Sequence, residues 1–348
     1  MTDESPISRA SQDGGVGSLG RIGFGSAPIG NLYEIMSDDA AQATLDAAWQ
    51  SGLRYFDTAP HYGFGLSEKR VGAALARLDR QESAIVSTKV GRRLAPAPDA
   101  DLSALRQGFV SPEPVESVFD YSYDGVLRSY EASRKRLKRD SIDILYAHDL
   151  GRMTHGDEHP ARLREFLDGG YRAMRELRDG GAVAAIGLGV NETAVCEEVL
   201  GHAELDLILL AGRYTLLEQD ALDQFLPLCA RRDVRIVLGG PFNSGILATG
   251  VRGGGDLHYN YEPAPRDVIA RVAAIEEVCA LHGVPLAAAA LQFPLAHPQV
   301  ASVIPGTRTP EQLRAALDLL DTSIPAECWR MLRDRSLIRA DAPLPLPQ

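Results

Sequence analysis

Short β-branched or apolar runs recur along this chain, alternating with amphipathic helical stretches, and that alternation restricts the fold to successive βα units. Eight strands are expected, over 22–25, 53–57, 84–89, 142–148, 183–187, 205–211, 235–239 and 301–304. Three of the intervening helices are plain from period and punctuation: 38–51 stops at Gly52, 67–78 opens with Glu68 in its first turn, and 164–178 stops at Gly180 and Gly181. Eight such units can close into a barrel or spread as an open doubly wound sheet, and the polar residues decide between them. Asp57, Lys89 and His148 each end a different strand, which is where barrels place their chemistry; an open sheet gathers its ligand groups at one switch point. The expected fold is therefore α/β, a (β/α)₈ TIM barrel built as a single domain.

A chain of 348 residues suits one such barrel, and 45% hydrophobic with 24% charged residues is the composition of an ordinary globular core and surface. The expected organisation is a flexible leader over 1–20, a barrel domain over 21–340 and an extended tail over 341–348, which closes on PLPLPQ. A net charge of −11 argues against nucleic acid or an anionic membrane as the main partner. The acidic N-terminal stretch MTDESPISRASQDGG is unlike a signal peptide, and Cys196, Cys229, Cys279 and Cys328 are too far apart for a secreted disulfide framework. A cytoplasmic location with reduced thiols is the expectation. Oligomeric state is not legible.

Two connections are longer than the usual few residues, 90–119 and 241–265. Both follow strands on the same barrel face, so they are expected to shape a substrate pocket or lid. The string HGDEH at 155–159 has metal-ligand residue types, but its histidines span a loop with no matching third cluster. It is read as a solvated polar loop, with no metal expected. RSYEASRKRLKRD reads as a basic, solvated helix face.

The residue types at the strand ends suit proton transfer at a carbonyl oxygen. A tyrosine phenol is too weak an acid until a neighbouring ammonium favours the phenolate, and a carboxylate can hold that ammonium in place. Tyr62, Lys89 and Asp57 supply those three types, and His148 can donate a hydrogen bond that orients a substrate oxygen. His61, beside Tyr62, could face the same pocket.

FDTAPHYGFGLSEKRVG, STKVG, LYAHD, GLGVNE and SVIPGTRTPEQL together resemble the aldo-keto reductase superfamily, from about Gly20 to about Leu320. The resemblance implies a catalytic tetrad of Asp57, Tyr62, Lys89 and His148. GFGSAPIGNLYE and FDYSYDGVLRSYEASRKRL are more similar to the branch holding aldose 1-dehydrogenases of L-fucose or L-galactose and an NAD-dependent pyridoxal dehydrogenase. It implies oxidation of a cyclic hemiacetal to a lactone, with a small sugar or carbonyl compound as substrate. Two alternatives are an NADPH-dependent reductase of small aldehydes and ketones, and a dinucleotide-sensing subunit of slow turnover. The intact tetrad argues against the second.

No GxGxxG opens a helix after the first strand, so the resemblance places a nicotinamide dinucleotide across the barrel mouth instead. It implies that Tyr214 stacks on the nicotinamide, Asn191 binds its carboxamide, and Gly25, Ser26 and Asp57 line the nearby wall. Gly240, Pro241, Phe242, Asn243, Gly245 and Leu247 have the glycines and backbone N–H groups to wrap a pyrophosphate. Gly306, Thr307, Arg308 and Gln312 surround the helix start at Pro310, a natural anion site. NADPH-dependent relatives often carry Lys at 306, Arg at 312 and Asn at 316, where this chain has Gly306, Gln312 and Ala316. Two cations for a 2′-phosphate are missing, so NAD is favoured over NADP, with Arg308 as the remaining phosphate contact. Ala211 and Val190 likewise replace the usual Gln and Ser near the nicotinamide.

Overall fold

A computed structural model describes residues 18–260 and 262–345. Eight parallel strands form its centre: β1 (Phe24–Gly25), β2 (Tyr55–Asp57), β3 (Ile85–Val90), β4 (Ile144–His148), β5 (Ala185–Val190), β6 (Leu207–Ala211), β7 (Arg235–Gly239) and β8 (Val300–Ile304). They pair in chain order, and the ends of the sheet meet: Gly23 N donates to Val303 O at 2.9 Å, and Val303 N to Arg21 O at 3.1 Å. The sheet is thus a closed barrel, with no free edge.

The helical layer follows the strands. Helix α1 (Asp38–Gln50) starts where Ser37 Oγ accepts from Ala40 N; α2 (Leu66–Leu78) packs beside it, and α3 (Tyr123–Leu137) beside α2. Strand period 2 separates two cores. Phe56, Val86, Leu145 and Ala147 point outward into the main cluster beneath the helices, while Tyr55, Ile144, Tyr146, Leu207, Leu209, Val237 and Ile304 fill the barrel interior. The same alternation turns Asp57, Lys89 and His148 inward at the upper end.

The strand runs hold to within a few residues. The fifth extends to Val190 rather than stopping at 187; a Cβ on Gly187 would collide with the Leu207 carbonyl, so glycine there permits close strand packing. Segment 90–119 carries an antiparallel hairpin, Arg92–Pro96 against Val115–Phe119, and 241–265 carries a helical turn, Ile246–Thr249, and a short pair, His258–Tyr259 with Glu262–Pro263.

Two surface readings are corrected. HGDEH is not a loop but part of a helical run that begins at Arg152; His155 pairs with Tyr121 OH at 3.0 Å and His159 with Glu198 at 3.1 Å. The basic face of α3 is not wholly solvated either. Arg136 reaches the fully buried Glu68 at 2.6 Å, because a buried carboxylate requires a cation or several donors. The expected leader lies outside the described residues up to 17 and the expected tail from 346; Leu19 packs within the barrel interior and Ala342 is buried.

Candidate active site

Lys89 lies 1% and Asp57 3% exposed, and the pair is joined by bonds of 2.7 and 3.0 Å from Nζ to the two carboxylate oxygens. The third ammonium donor goes to the Thr58 carbonyl at 2.8 Å. Ser87 Oγ also donates to Asp57 Oδ1, at 2.7 Å, so two side chains of β3 hold the carboxylate at the end of β2. Burial pushes the Asp57 carboxyl up, while the Lys89 ammonium and the Ser87 hydroxyl oppose it. Below them Tyr55 OH meets Ser87 Oγ at 3.1 Å, and burial keeps that phenol neutral by raising its pKa well above the ordinary value.

Tyr62 is carried by the β2–α2 turn. Its ring centroid lies 4.8 Å from Lys89 Nζ and 6.0 Å from the His148 ring, nearly perpendicular to it. The turn is pinned by the approach of two backbones: Gly63 has φ +64°, and a Cβ there would strike the Gly30 carbonyl. Ser111 Oγ, from the long β3–α3 segment, donates to Gly63 O at 2.7 Å. Phe109 from that segment packs 5.9 Å from Tyr62 and 5.1 Å from His61. His61 faces His148 at 6.0 Å, and burial, with help from Arg92, pushes its imidazole down to about 2.

Burial, then the Lys89 and Arg92 cations, holds the His148 imidazole well below its usual range, so it is neutral and can donate through one nitrogen only. Tyr121 OH fixes its backbone by donating to His148 O at 2.6 Å. All four tetrad positions therefore converge at the C-terminal end of the barrel.

Beside them runs a cavity of about 970 Å³. Of the expected dinucleotide contacts it is lined by Gly25, Ser26, Asp57, Gly240, Pro241, Phe242, Asn243, Gly245, Gly306, Thr307, Arg308 and Gln312. Its walls suit a close-fitting polar ligand. A Cβ on Gly25 would come within 3.0 Å of Pro305 O, and Thr307 Oγ1 is buried without a partner among the described residues. The helix Pro310–Asp321 starts at the cavity wall under a Thr309 cap, with backbone N–H groups directed to that end.

Three of the expected contacts do not line this cavity. Tyr214 is fully buried, its ring 5.6 Å from Phe293 and 5.5 Å from His297. Leu247 is likewise fully buried, turned into the core by its helical turn. Asn191 is not part of the cavity wall: its Nδ2 donates to Asp149 Oδ1 at 3.4 Å and its carbonyl accepts from Arg213 Nε at 2.6 Å. Asn243 does line the cavity, but its side chain ties two loops, accepting from Thr215 Oγ1 at 2.6 Å and donating to Gly212 O at 3.2 Å.

The structure also brings in residues that sequence reasoning missed. Arg92, 12% exposed, pairs at 2.5 Å with Asp149, whose carboxylate lies 3.7 Å from His148 Nε2. Asp149 could have been suspected, since it directly follows a strand-end histidine. Ser87 gave no signal beyond its inward register with Asp57. Among the described residues, no group of three or more His, Cys, Asp or Glu is placed to hold a metal ion.

Inward-facing Asp57, Lys89 and His148 at the top of a closed parallel barrel define an oxidoreductase of the barrel class. The chain belongs to the aldo/keto reductase family, whose model matches residues 21–335. It is 45% identical to the pyridoxal 4-dehydrogenase of Microbacterium luteolum over 91% of this chain and 94% of that one. It is 42% identical, over the same shares, to a D-threo-aldose 1-dehydrogenase of a Pseudomonas species. The holo form of an aldo-keto reductase from Bacillus halodurans superposes with a TM-score of 0.69 at 25% identity, covering 92% of this chain and 93% of that one. The enzyme is accordingly a nicotinamide-dependent oxidoreductase.

Proposed function

We propose that this enzyme oxidises the anomeric carbon of a cyclic hemiacetal, an aldose or a pyridoxal-like compound, to the lactone, with NAD as the favoured acceptor. The observation that carries the reading is the convergence of Tyr62, a buried ammonium and a neutral imidazole at one end of a cavity fit for a dinucleotide. The hemiacetal class is supported by the two dehydrogenases more than 40% identical to this chain.

The bound nicotinamide supplies the hydride acceptor. Gly25, Ser26, the Gly240–Gly245 turn, and Gly306 to Gln312 would hold the dinucleotide along the cavity wall. Tyr62, as phenolate, takes the anomeric hydroxyl proton, and Lys89 makes that possible by placing a positive charge near the ring. Asp57 and the Thr58 carbonyl keep Lys89 oriented. His148 donates its single N–H to the same oxygen, orienting the reacting carbon and stabilising the negative charge that develops on that oxygen. The polar pair Arg92 and Asp149, adjacent to His148, suits a hydroxyl-rich substrate better than an apolar aldehyde.

The test is a panel. Formation of reduced nicotinamide is followed with L-fucose, L-galactose, D-arabinose and pyridoxal, and its consumption with small open-chain aldehydes. Oxidation of at least one hemiacetal faster than any aldehyde is reduced is the expected result. No oxidation alongside rapid aldehyde reduction would overturn the reading in favour of a reductase.

A further inference from the structure

We propose that Glu34 sets the enzyme's choice between the two nicotinamide dinucleotides: it occupies the one cation available to a 2′-phosphate and offers its own carboxylate to the ribose hydroxyl of NAD. This rests on the dinucleotide lying in the cavity described above, with the nicotinamide at the Tyr62 end. The adenosine half then lies along the part of the lining where the helix Pro310–Asp321 starts, with Gly306, Thr307, Arg308, Gln312 and Ala316.

Arg308 is the single arginine or lysine among the described residues that line this cavity. A 2′-phosphate brings close to two negative charges and requires a cation there. Arg308 is already committed. One guanidinium nitrogen bonds the Glu34 carboxylate at 2.8 Å, another donates to the Leu32 carbonyl at 3.0 Å, and the Arg308 N–H donates to Gln312 Oε1 at 2.8 Å. The position of Glu34 is not left to a freely moving loop. Tyr33, with φ +64°, donates its N–H to Gly108 O at 2.9 Å, and Leu32 and Tyr33 themselves line the cavity.

Each dinucleotide meets this arrangement differently. NADP must displace Glu34 from Arg308 and accept a carboxylate beside its phosphate, a like-charge contact. NAD presents a 2′-hydroxyl, which can donate to that carboxylate, the use that dinucleotide sites make of an acidic residue at the ribose. Glu34 is 71% exposed, so water screens the effect and the discrimination is moderate.

The experiment measures binding without substrate, on the full chain, by titration calorimetry with NAD, NADP and adenosine 2′,5′-bisphosphate. In Glu34→Gln, which keeps the side chain's size, the ratio of the NAD and NADP dissociation constants should shift toward NADP by about two- to fivefold. The gain should shrink with added salt and vanish in Glu34→Gln/Arg308→Ala. Wild type should bind NAD more tightly than NADP. An unchanged ratio in Glu34→Gln, with both dinucleotides binding, overturns this assignment and leaves the dehydrogenase reading standing. A wild type that binds neither dinucleotide overturns both.

Discussion

Replacing Lys89 by methionine retains most of the aliphatic stem and removes the ammonium from the most deeply buried ion pair of the site. That ammonium bonds both Asp57 oxygens and the Thr58 carbonyl at 2.7 to 3.0 Å, with the two side chains 1% and 3% exposed. Breaking a buried pair by removing one partner costs about 3–5 kcal/mol, because the other charge is left uncompensated. The stranded carboxyl escapes part of this by taking up a proton. Burial already pushes Asp57 up, and of the groups that oppose it only Ser87 remains in the variant. Its folded-state pKa then lies above the unfolded value, so the folded protein binds more protons between the two. Stability is present below the ordinary carboxylate range and is lost as pH rises through the raised folded value, by up to about 1.4 kcal/mol per pH unit. Urea unfolding from about pH 5 to about pH 8 should show this falling slope in Lys89→Met, steeper than in wild type. Asp57→Asn/Lys89→Met removes both charges, so it should recover most of the lost stability while turnover stays depressed by about a hundredfold or more. If Lys89→Met unfolds with the wild-type free energy across that range and keeps its turnover, the ammonium neither anchors Asp57 nor assists Tyr62, and the reasoning fails.

Tyr62→Phe should lower kcat by about two to four orders of magnitude while dinucleotide affinity changes little, and near-normal kcat would remove the tyrosine from the mechanism. Because His148 is held neutral, the pH–rate profile should show no limb from an ordinary imidazole, and His148→Gln, which keeps an N–H donor, should retain about tenfold more activity than His148→Ala; equal losses would contradict the donor role. Gly63→Ala combines a positive φ with a collision against the Gly30 carbonyl and should cost about 1–3 kcal/mol in stability, with kcat falling as the Tyr62 turn shifts. Wild-type thermal stability and kcat in that variant would show that the turn tolerates the side chain.

The barrel and the strand-end positions of Asp57, Lys89 and His148 were legible in the sequence because both depend on local pattern. A strand's period of two decides which side chains face inward, so a polar residue closing an apolar run is already aimed at the barrel mouth, as Asp57, Lys89 and His148 are. The glycine-rich turn after β7 and the helix start at Pro310 after β8 were readable for the same reason, since backbone conformation there depends on a few adjacent residues. What lay beyond reach was every feature made by residues distant along the chain. Whether Tyr214 offers a face to a ligand depends on Phe293 and His297; whether Arg136 is solvated depends on Glu68; whether Arg308 is free depends on Glu34. Sequence determined the order of elements and the inward register of Asp57, Lys89 and His148, because these follow from short-range sterics and apolar periodicity. Only the tertiary structure decided which charges are paired and which rings are covered, because the energy of a buried ion or aromatic face depends on neighbours that closure of the barrel brings together.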